Sequence, residues 1–254
     1  MNIDCSGQGS PTVILESGSG GPSIDWLVVQ PEVEKFARVC SYKRAGYGWS
    51  DSGAEPRSSL QIARELKQLL QATGEGPYVL VGHSMGGYDI RVYTGQYPKD
   101  VVGIELVDAS PGDQNLRAPE SIRKWQPAHR KRPSGEKLKY FFQLHLGGAR
   151  LTAGRDAPDF WPRAFREEEE FLTLPTKHQF AVIDEDQVFP TLSAAEVRTA
   201  GNLGGRPLWC SRRRDRTISL PRFRRRTHRR RKIFGSTSHN RNWLGSRPMA
   251  GRSL

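Results

Sequence analysis

The chain has 254 residues, 36% of them hydrophobic, and a formal net charge of +12. This length suffices for one α/β domain with an inserted lid, and two full domains would be crowded in it. A uniformly basic chain would indicate nucleic-acid binding, but here the charge is confined to one end. From residue 206 onwards there are sixteen Lys or Arg and a single acid, Asp215, whereas residues 1–205 are slightly acidic. We therefore expect no nucleic-acid partner, despite the basic tail.

The cysteines and the first residues bear on the compartment. Cys5, Cys40 and Cys210 are odd in number and form no C-x-x-C pair, which argues against a disulfide framework or a zinc site but leaves a single bridge open. No apolar run is long enough to span a membrane, and the start is not a signal peptide. The sequence as it stands indicates a cytoplasmic protein without cofactor or metal, but an export signal or leading strands are expected to be missing before so early a first strand.

The first strong element is a buried strand over residues 11–16 (PTVILE), followed by a glycine-rich loop (residues 17–22, SGSGGP). A loop with so few side chains lets backbone N–H groups approach a ligand. Taken alone it is a tight turn. One strand ahead of the serine motif described below, it predicts a donor of an oxyanion hole through the N–H of Ser19.

Two further elements precede the serine motif. A predicted helix over residues 24–36 leads to a strand over residues 36–42 and a loop with two glycines. Leucine and isoleucine then recur at helical spacing over residues 60–70, which predicts an amphipathic helix capped by Ser58 or Ser59 and ended by Gly74 and Gly76.

Residues 77–88 (PYVLVGHSMGGY) have the layout of a nucleophile elbow, G-x-S-x-G, between a strand and a helix. This turn predicts a strained backbone at Ser84, and it requires glycine at positions 82 and 86 because side chains there would collide with the neighbouring strand and helix. The serine hydroxyl would then lie at the tip of the sheet, where the N–H of Met85 can stabilise an oxyanion.

Residues 101–108 form the next predicted strand, which ends at Asp108. Strands alternating with helices predict an α/β fold with a doubly wound, mostly parallel sheet, whose active residues lie at the carboxyl ends of the strands. Ser84, Asp108 and the glycine-rich loop all occupy such ends. We assign residues 1–110 to the N-terminal part of this core.

Residues 111–203 are predicted to form a helical lid inserted after the Asp108 strand. Aromatic residues recur there in helix-like segments broken by Pro and Gly, and they either line an apolar substrate pocket or only pack the lid onto the body. The acidic run at residues 167–170 is predicted to be a solvated helix face and not a metal site, since no histidine lies at a ligand offset.

Four motifs carry a family resemblance: ESGSGG at residues 16–21, YKRAGYGWS at 42–50, GHSMGG at 82–87 and LVDA at 106–109. From about Gly7 to Asp113 the chain resembles the α/β-hydrolase superfamily, specifically its lidded serine hydrolases. The resemblance implies Ser84 as nucleophile, the N–H groups of Ser19 and Met85 as oxyanion donors, and a small apolar ester or acyl substrate. Lys43 departs from the pattern, because most relatives carry Asp there.

Such a serine needs an acid and then a histidine later in the chain. For the acid we favour Asp108, which ends an intact strand, over Asp215. The histidines are poor candidates for the base: His83 belongs to the elbow and points away from the hydroxyl, and the others lie in the predicted lid or the basic tail, where His239 has only a weak positional claim. The remaining positions are His129, His145, His178 and His228.

Residues 204–254 are interpreted as a remnant of a core strand, residues 206–210, followed by a basic, disordered tail. The arginines could bind anions or nucleic acid, or only solubilise the chain. We favour a third explanation, a shift of reading frame near Leu208, because residues 209–214 read two bases later permit the strand-like VLAAAG. The catalytic histidine would then lie beyond Leu254 in the lost frame.

The resulting prediction is a serine hydrolase that acts on an ester or related acyl substrate through a Ser84 acyl-enzyme. An epoxide hydrolase or dehalogenase of the same fold would need Asp at position 84. The alternative is a non-catalytic pseudoenzyme, or a protein that binds anions or nucleic acid through the arginine-rich tail.

Overall fold

The structure, a computed structural model, describes residues 1–74, 76–117, 119–120, 138, 141–142 and 162–211. Within these residues a single six-stranded sheet has the order β1-β3-β2-β4-β5-β6. Its strands are β1 (Asn2–Ser6), β2 (Thr12–Glu16), β3 (Val39–Lys43), β4 (Tyr78–His83), β5 (Val101–Val107) and β6 (Leu208–Ser211).

Strands β2 to β6 run parallel, and only β1 is antiparallel to its neighbour β3. The predicted α/β fold with a mostly parallel sheet is therefore confirmed. β1 was not predicted, because its sequence NIDCS carries little hydrophobic signal. Cys5 of β1 lies directly opposite Cys40 of β3, and the two form the disulfide that the sequence left open.

Seven α-helices are described: α1 (Gln30–Val33), α2 (Ser59–Thr73), α3 (Gly86–Gln96), α4 (Gln114–Arg117), α5 (Arg163–Thr173), α6 (Thr176–Val188) and α7 (Ala194–Thr199). The amphipathic helix predicted over residues 60–70 is confirmed as α2. Its N-cap is Ser58, whose hydroxyl accepts from the N–H of Gln61 at 3.4 Å.

The predicted helix over residues 24–36 is wrong. A 3-10 turn (Ser23–Trp26) and the single-turn α1 stand there instead. Pro31 lies in the first turn of α1, where its missing N–H is tolerated, but the interior of a longer helix would need that hydrogen bond.

Both faces of the sheet are covered, so the site is confined to the edge where the strands end. On one face Ile14, Leu80 and Ile104 of three adjacent strands are fully buried against Leu66 of α2 and Ile90 of α3. A smaller cluster covers the other face, formed by Leu15, Trp26, Val39 and Val81. The parallel strands β2, β4 and β5 therefore present their carboxyl ends side by side.

The range predicted as a lid is described only in part. Its described stretches are helical (α4 to α7), and Ala194 and Val197 of α7 pack in the main core. Residues 121–137, 139–140 and 143–161, with half of the aromatics of the predicted pocket, lie outside the described residues, so the lid stays a prediction. In α5, Glu167 is exposed, and no group of side chains suited to a metal ion occurs among the described residues.

The predicted strand at residues 206–210 is present as β6, which runs parallel to β5 and pairs Leu208 with Ile104. The tail beyond Ser211, with Asp215, His228 and His239, lies outside the described residues, as do His129 and His145. Across the part of the chain that the structure describes, no helix combines the length and apolar character needed to cross a bilayer.

Candidate active site

Ser84 stands in the turn between β4 and α3 with a φ of +51°, a conformation that costs a non-glycine residue about 1–3 kcal/mol. The surrounding backbone holds it there. Its N–H donates to the carbonyl of Val107 at 3.2 Å, and its carbonyl accepts from the N–H groups of Gly87 at 3.2 Å and Ser110 at 3.1 Å. The strained turn predicted from the motif is present.

The glycines of the motif are required by close backbone contacts. A Cβ on Gly82 would lie 2.7 Å from the carbonyl oxygen of Gly86, and a Cβ on Gly86 would lie 2.5 Å from that of Ser17. Both predicted reasons for glycine are thus confirmed. A third close contact was not predicted from the motif: a Cβ on Gly87 would lie 2.4 Å from the Cβ of Ala109.

The glycine-rich loop reaches the elbow. A Cβ built on Gly18 would lie 3.2 Å from both the Cβ of Ser84 and the Nδ1 of His83. Two N–H groups of the loop are engaged, since Gly20 donates to the Tyr47 hydroxyl at 3.1 Å and Gly21 to the carbonyl of Gly18 at 3.3 Å. The N–H groups of Ser19 and Met85 have no acceptor among the described residues.

Among the described residues no acid or base forms a hydrogen bond with the Oγ of Ser84. Asp108 is exposed at the end of β5 with a φ of +43°, and its N–H donates to the carbonyl of Ser211 at 2.7 Å. His178 of α6 is buried, and its ring lies 4.4 Å from that of Tyr47. Burial, assisted by the charge of Arg44, lowers the pKa of His178 to about 4, so it is neutral at physiological pH.

Behind the glycine-rich loop lies a buried charge cluster that the sequence did not reveal. This Arg44 cluster consists of Glu16, Arg44, Arg57, Asp89 and Glu185, all at most 3% exposed. Arg44 pairs with Glu16 at 2.7 Å and with Glu185 at 3.0 Å, and Arg57 lies 3.7 Å from Glu185. The available signal was the charged residues that follow directly on buried strands, Glu16 at the end of β2 and Arg44 just after β3.

Carboxyls outnumber guanidinium groups in the Arg44 cluster, and burial penalises the excess negative charge. Burial raises the pKa of Glu16 to about 8 and that of Asp89 to about 7, although Arg44 opposes both shifts. Ser59 also lowers the pKa of Asp89, yet neither carboxyl oxygen of Asp89 has a partner in good hydrogen-bond geometry. This is the environment in which a carboxyl keeps its proton at neutral pH.

Lys43, which departs from the family pattern, does not disturb the loop that follows it. Its carbonyl accepts from the Ser50 hydroxyl at 2.6 Å, and Gly46 donates to the carbonyl of Asp51 at 2.7 Å, so neither of these loop contacts uses the Lys43 side chain. The ammonium group instead reaches Asn2 at 3.2 Å beside a cavity of about 540 Å³. Burial lowers the pKa of Lys43.

The chain was compared with models of known protein families and with known proteins. The family model of the alpha/beta hydrolase fold matches residues 11–154, more than half of the chain. A 2-hydroxy-6-oxononadienedioate/2-hydroxy-6-oxononatrienedioate hydrolase of Escherichia coli is 33% identical over 152 residues, which are 56% of this chain and 52% of that protein. The probable transporter efuK of Hormonema carpetanum is 33% identical over 107 residues, 40% of this chain and 15% of that protein.

Among solved structures, that of the epoxide hydrolase CorEH superposes with a TM-score of 0.66 at 16% identity, covering 83% of this chain and 77% of that one. At this identity the likeness concerns the fold alone. The chain spans about half the length of the Escherichia coli hydrolase and a smaller share of efuK.

Proposed function

The chain belongs to the alpha/beta hydrolase fold family, and we propose that it is a serine hydrolase that cleaves ester or related acyl substrates through an acyl-enzyme at Ser84. The observation that carries the proposal is the positive φ of Ser84 in a turn closed by Gly82 and Gly86. Such a turn exposes a hydroxyl at the end of a strand and beside a helix N-terminus.

The chemistry proceeds in two halves. The Oγ of Ser84 attacks the substrate carbonyl and the alcohol leaves, which forms the acyl-enzyme; water then releases the acid and restores the serine. The N–H groups of Ser19 and Met85, which have no other acceptor in the described residues, bind the oxyanion. The N-terminus of α3, which begins at Gly86, adds a favourable dipole.

The proposal distinguishes this chain from the epoxide hydrolase whose fold it shares. Opening of an epoxide through a covalent ester needs a carboxylate nucleophile, and the residue in the elbow is Ser84. An acyl group is the substrate that a serine hydroxyl with two backbone donors suits.

Hydrolysis of a short-chain nitrophenyl ester tests the proposal. We expect a rate above the solvent background that is lost in Ser84→Ala, while Ser110→Ala, a serine that touches Ser84 only through its backbone N–H, retains it. Equal rates for the native chain and Ser84→Ala would contradict the proposed serine hydrolase and favour a non-catalytic protein.

Added imidazole supplies a second reading of the same assay. Imidazole hydrolyses nitrophenyl esters by itself, so the rate of a protein-free blank with imidazole is subtracted from every rate. If no protein base reaches Ser84, imidazole should then raise the corrected rate of the native chain and leave that of Ser84→Ala unchanged. A native rate that does not respond to imidazole would indicate that a histidine of the chain already serves as base.

A further inference from the structure

We propose that Arg44 is a positioning residue that sets the direction of the Ser19 N–H, with Glu185 and Tyr47 holding Arg44 in place. The proposal rests on the proposed function in so far as this N–H is an oxyanion donor. It assigns a purpose to the Arg44 cluster, which would otherwise be a costly arrangement of buried charges behind the site.

Arg44 holds two consecutive carbonyls of the glycine-rich loop. Its guanidinium donates to the carbonyl of Ser17 at 2.8 Å and to that of Gly18 at 2.7 Å. In a trans peptide the C=O and the following N–H point in opposite directions. Because the carbonyl of Gly18 faces Arg44, the N–H of Ser19 in the same peptide plane faces away from Arg44. The hydrogen bond from Arg44 to the Gly18 carbonyl therefore also fixes the direction of the Ser19 N–H.

The guanidinium is itself held from α6. Glu185 accepts from Arg44 through both carboxylate oxygens, at 3.2 Å and 3.0 Å, which fixes the plane of the fork. The Tyr47 hydroxyl donates to Glu185 at 2.6 Å and accepts from the N–H of Gly20 at 3.1 Å. One buried network therefore joins α6 to the residues on either side of Ser19, the carbonyl of Gly18 and the N–H of Gly20.

The loop has little means of holding this shape without that network. Gly18, Gly20 and Gly21 give the chain wide backbone freedom. The described bonds within the loop run from the Gly21 N–H to the carbonyl of Gly18 and from the Ser17 hydroxyl to the carbonyl of Pro22, each at 3.3 Å. Ordering such a segment costs conformational entropy, which the charged hydrogen bonds of Arg44 offset. A loop released from Arg44 would leave the Ser19 N–H without a fixed direction.

Amide hydrogen exchange of the loop tests the proposal in the full-length chain, with Arg57→Lys as the matched control. Arg57 is as buried as Arg44 and pairs with Glu65 at 2.6 Å. Its hydrogen bonds go to Glu65 and to the carbonyl of Ala45, outside the loop, and its ion pair with Glu185 is longer, at 3.7 Å. For Arg44→Lys we expect the amides of Gly20 and Gly21 to exchange at least about tenfold faster than in the native chain, with Arg57→Lys unchanged there. Equal exchange in all three proteins, or equal acceleration in both variants, would overturn the proposal.

Ester hydrolysis supplies the second readout. Loss of a single oxyanion donor costs roughly 10²–10³-fold in kcat, so a misdirected donor in Arg44→Lys should lower kcat by about tenfold to a hundredfold with KM within threefold. A mobile loop with an unchanged kcat would refute the positioning role. Loop exchange needs no catalysis, so a native chain that hydrolyses no ester refutes the proposed function while the exchange result still decides what Arg44 holds.

Tyr47→Phe carries the test if Arg44→Lys does not fold. It removes one hydroxyl and keeps the ring against His178. The amide of Gly20 then loses its acceptor, and we expect its exchange to accelerate about tenfold in a folded protein. Native-like protection of Gly20 in Tyr47→Phe would contradict the network described above.

Discussion

The two sides of the candidate site are held by different forces. On the elbow side, Gly82 and Gly86 lie so close to backbone atoms that no side chain fits. On the side of the glycine-rich loop, the buried charges of Arg44 and Glu185 determine the position of the backbone. Steric contact does not depend on protonation, whereas buried ionic contacts do. The elbow should therefore be insensitive to pH, and the loop should be the half that responds to it.

Gly86→Ala is the change with the largest expected effect. A Cβ there would lie 2.5 Å from the carbonyl oxygen of Ser17 and 2.8 Å from that of Glu16, and backbone atoms of β2 and the loop cannot move aside freely. Overpacking of this kind costs about 3 kcal/mol of unfolding free energy. Urea denaturation should give the same loss at pH 6 and pH 8, because the contact is steric.

Gly205→Ala is the matched control. No atom lies within 4 Å of a Cβ at that position, so its unfolding free energy should stay within about 0.5 kcal/mol of the native value. A loss for Gly86→Ala that is as small as this, or one that changes with pH, would show that the elbow is not held by backbone contact.

The difference between the elbow and the glycine-rich loop also determines how much of the site could be predicted from the sequence. The elbow lies within residues 77–88, and its glycines, its strained serine and its place between β4 and α3 all follow from a local pattern. Local patterns predict local geometry well, because the interacting atoms are a few residues apart. The parallel sheet followed from the same kind of signal, repeated along the chain.

The support of the glycine-rich loop could not be predicted in this way. Glu185 lies 141 residues after Arg44, in a range interpreted as lid, and nothing in the pattern of either segment names the other as its partner. β1 was missed because a polar edge strand lacks a hydrophobic period. The acid and the base that would serve Ser84 stay predictions for a related reason, because they depend on contacts between segments far apart in the chain. Two of the candidates, Asp215 and His239, lie outside the described residues.

The pH dependence of the free energy of unfolding tests the contribution of the buried charges in the Arg44 cluster. Asp89 faces Arg44, Arg57, Glu16 and Glu185, and burial raises its pKa to about 7. A carboxyl whose pKa is raised on folding stabilises fully below its unfolded pKa and loses that contribution as the pH rises through the folded value. Native stability should therefore fall between pH 5 and pH 7 by up to about 1 kcal/mol per pH unit from this group.

Asp89→Asn should reduce the slope by the share that Asp89 contributes, because the amide mimics the protonated carboxyl and does not ionise. Glu16, whose pKa is raised to about 8, keeps a slope of the same sign in the variant. Thr94→Val in the same helix is the matched control: it deletes a buried hydroxyl that donates to the carbonyl of Ile90 at 2.7 Å, so it should lower stability equally at every pH. His178 contributes an opposite slope below pH 6.5 in all three proteins, since its pKa is lowered to about 4. A native slope retained in full in Asp89→Asn would place the titrating group elsewhere.

Ser19→Ala gives the smallest expected effect and separates buried from exposed contacts within the loop. The Ser19 hydroxyl donates to Asp186 at 2.7 Å on the surface, where water competes for both groups. We expect a loss of about 0.5 kcal/mol or less in urea denaturation and native exchange at the Gly20 amide. Asp186 adjoins Glu185 on α6, so the two contacts tie the same helix to the same loop and differ chiefly in burial. If the Gly20 amide exchanged as fast in Ser19→Ala as in Arg44→Lys, the loop would be ordered by its attachment to α6 and not by the buried charges.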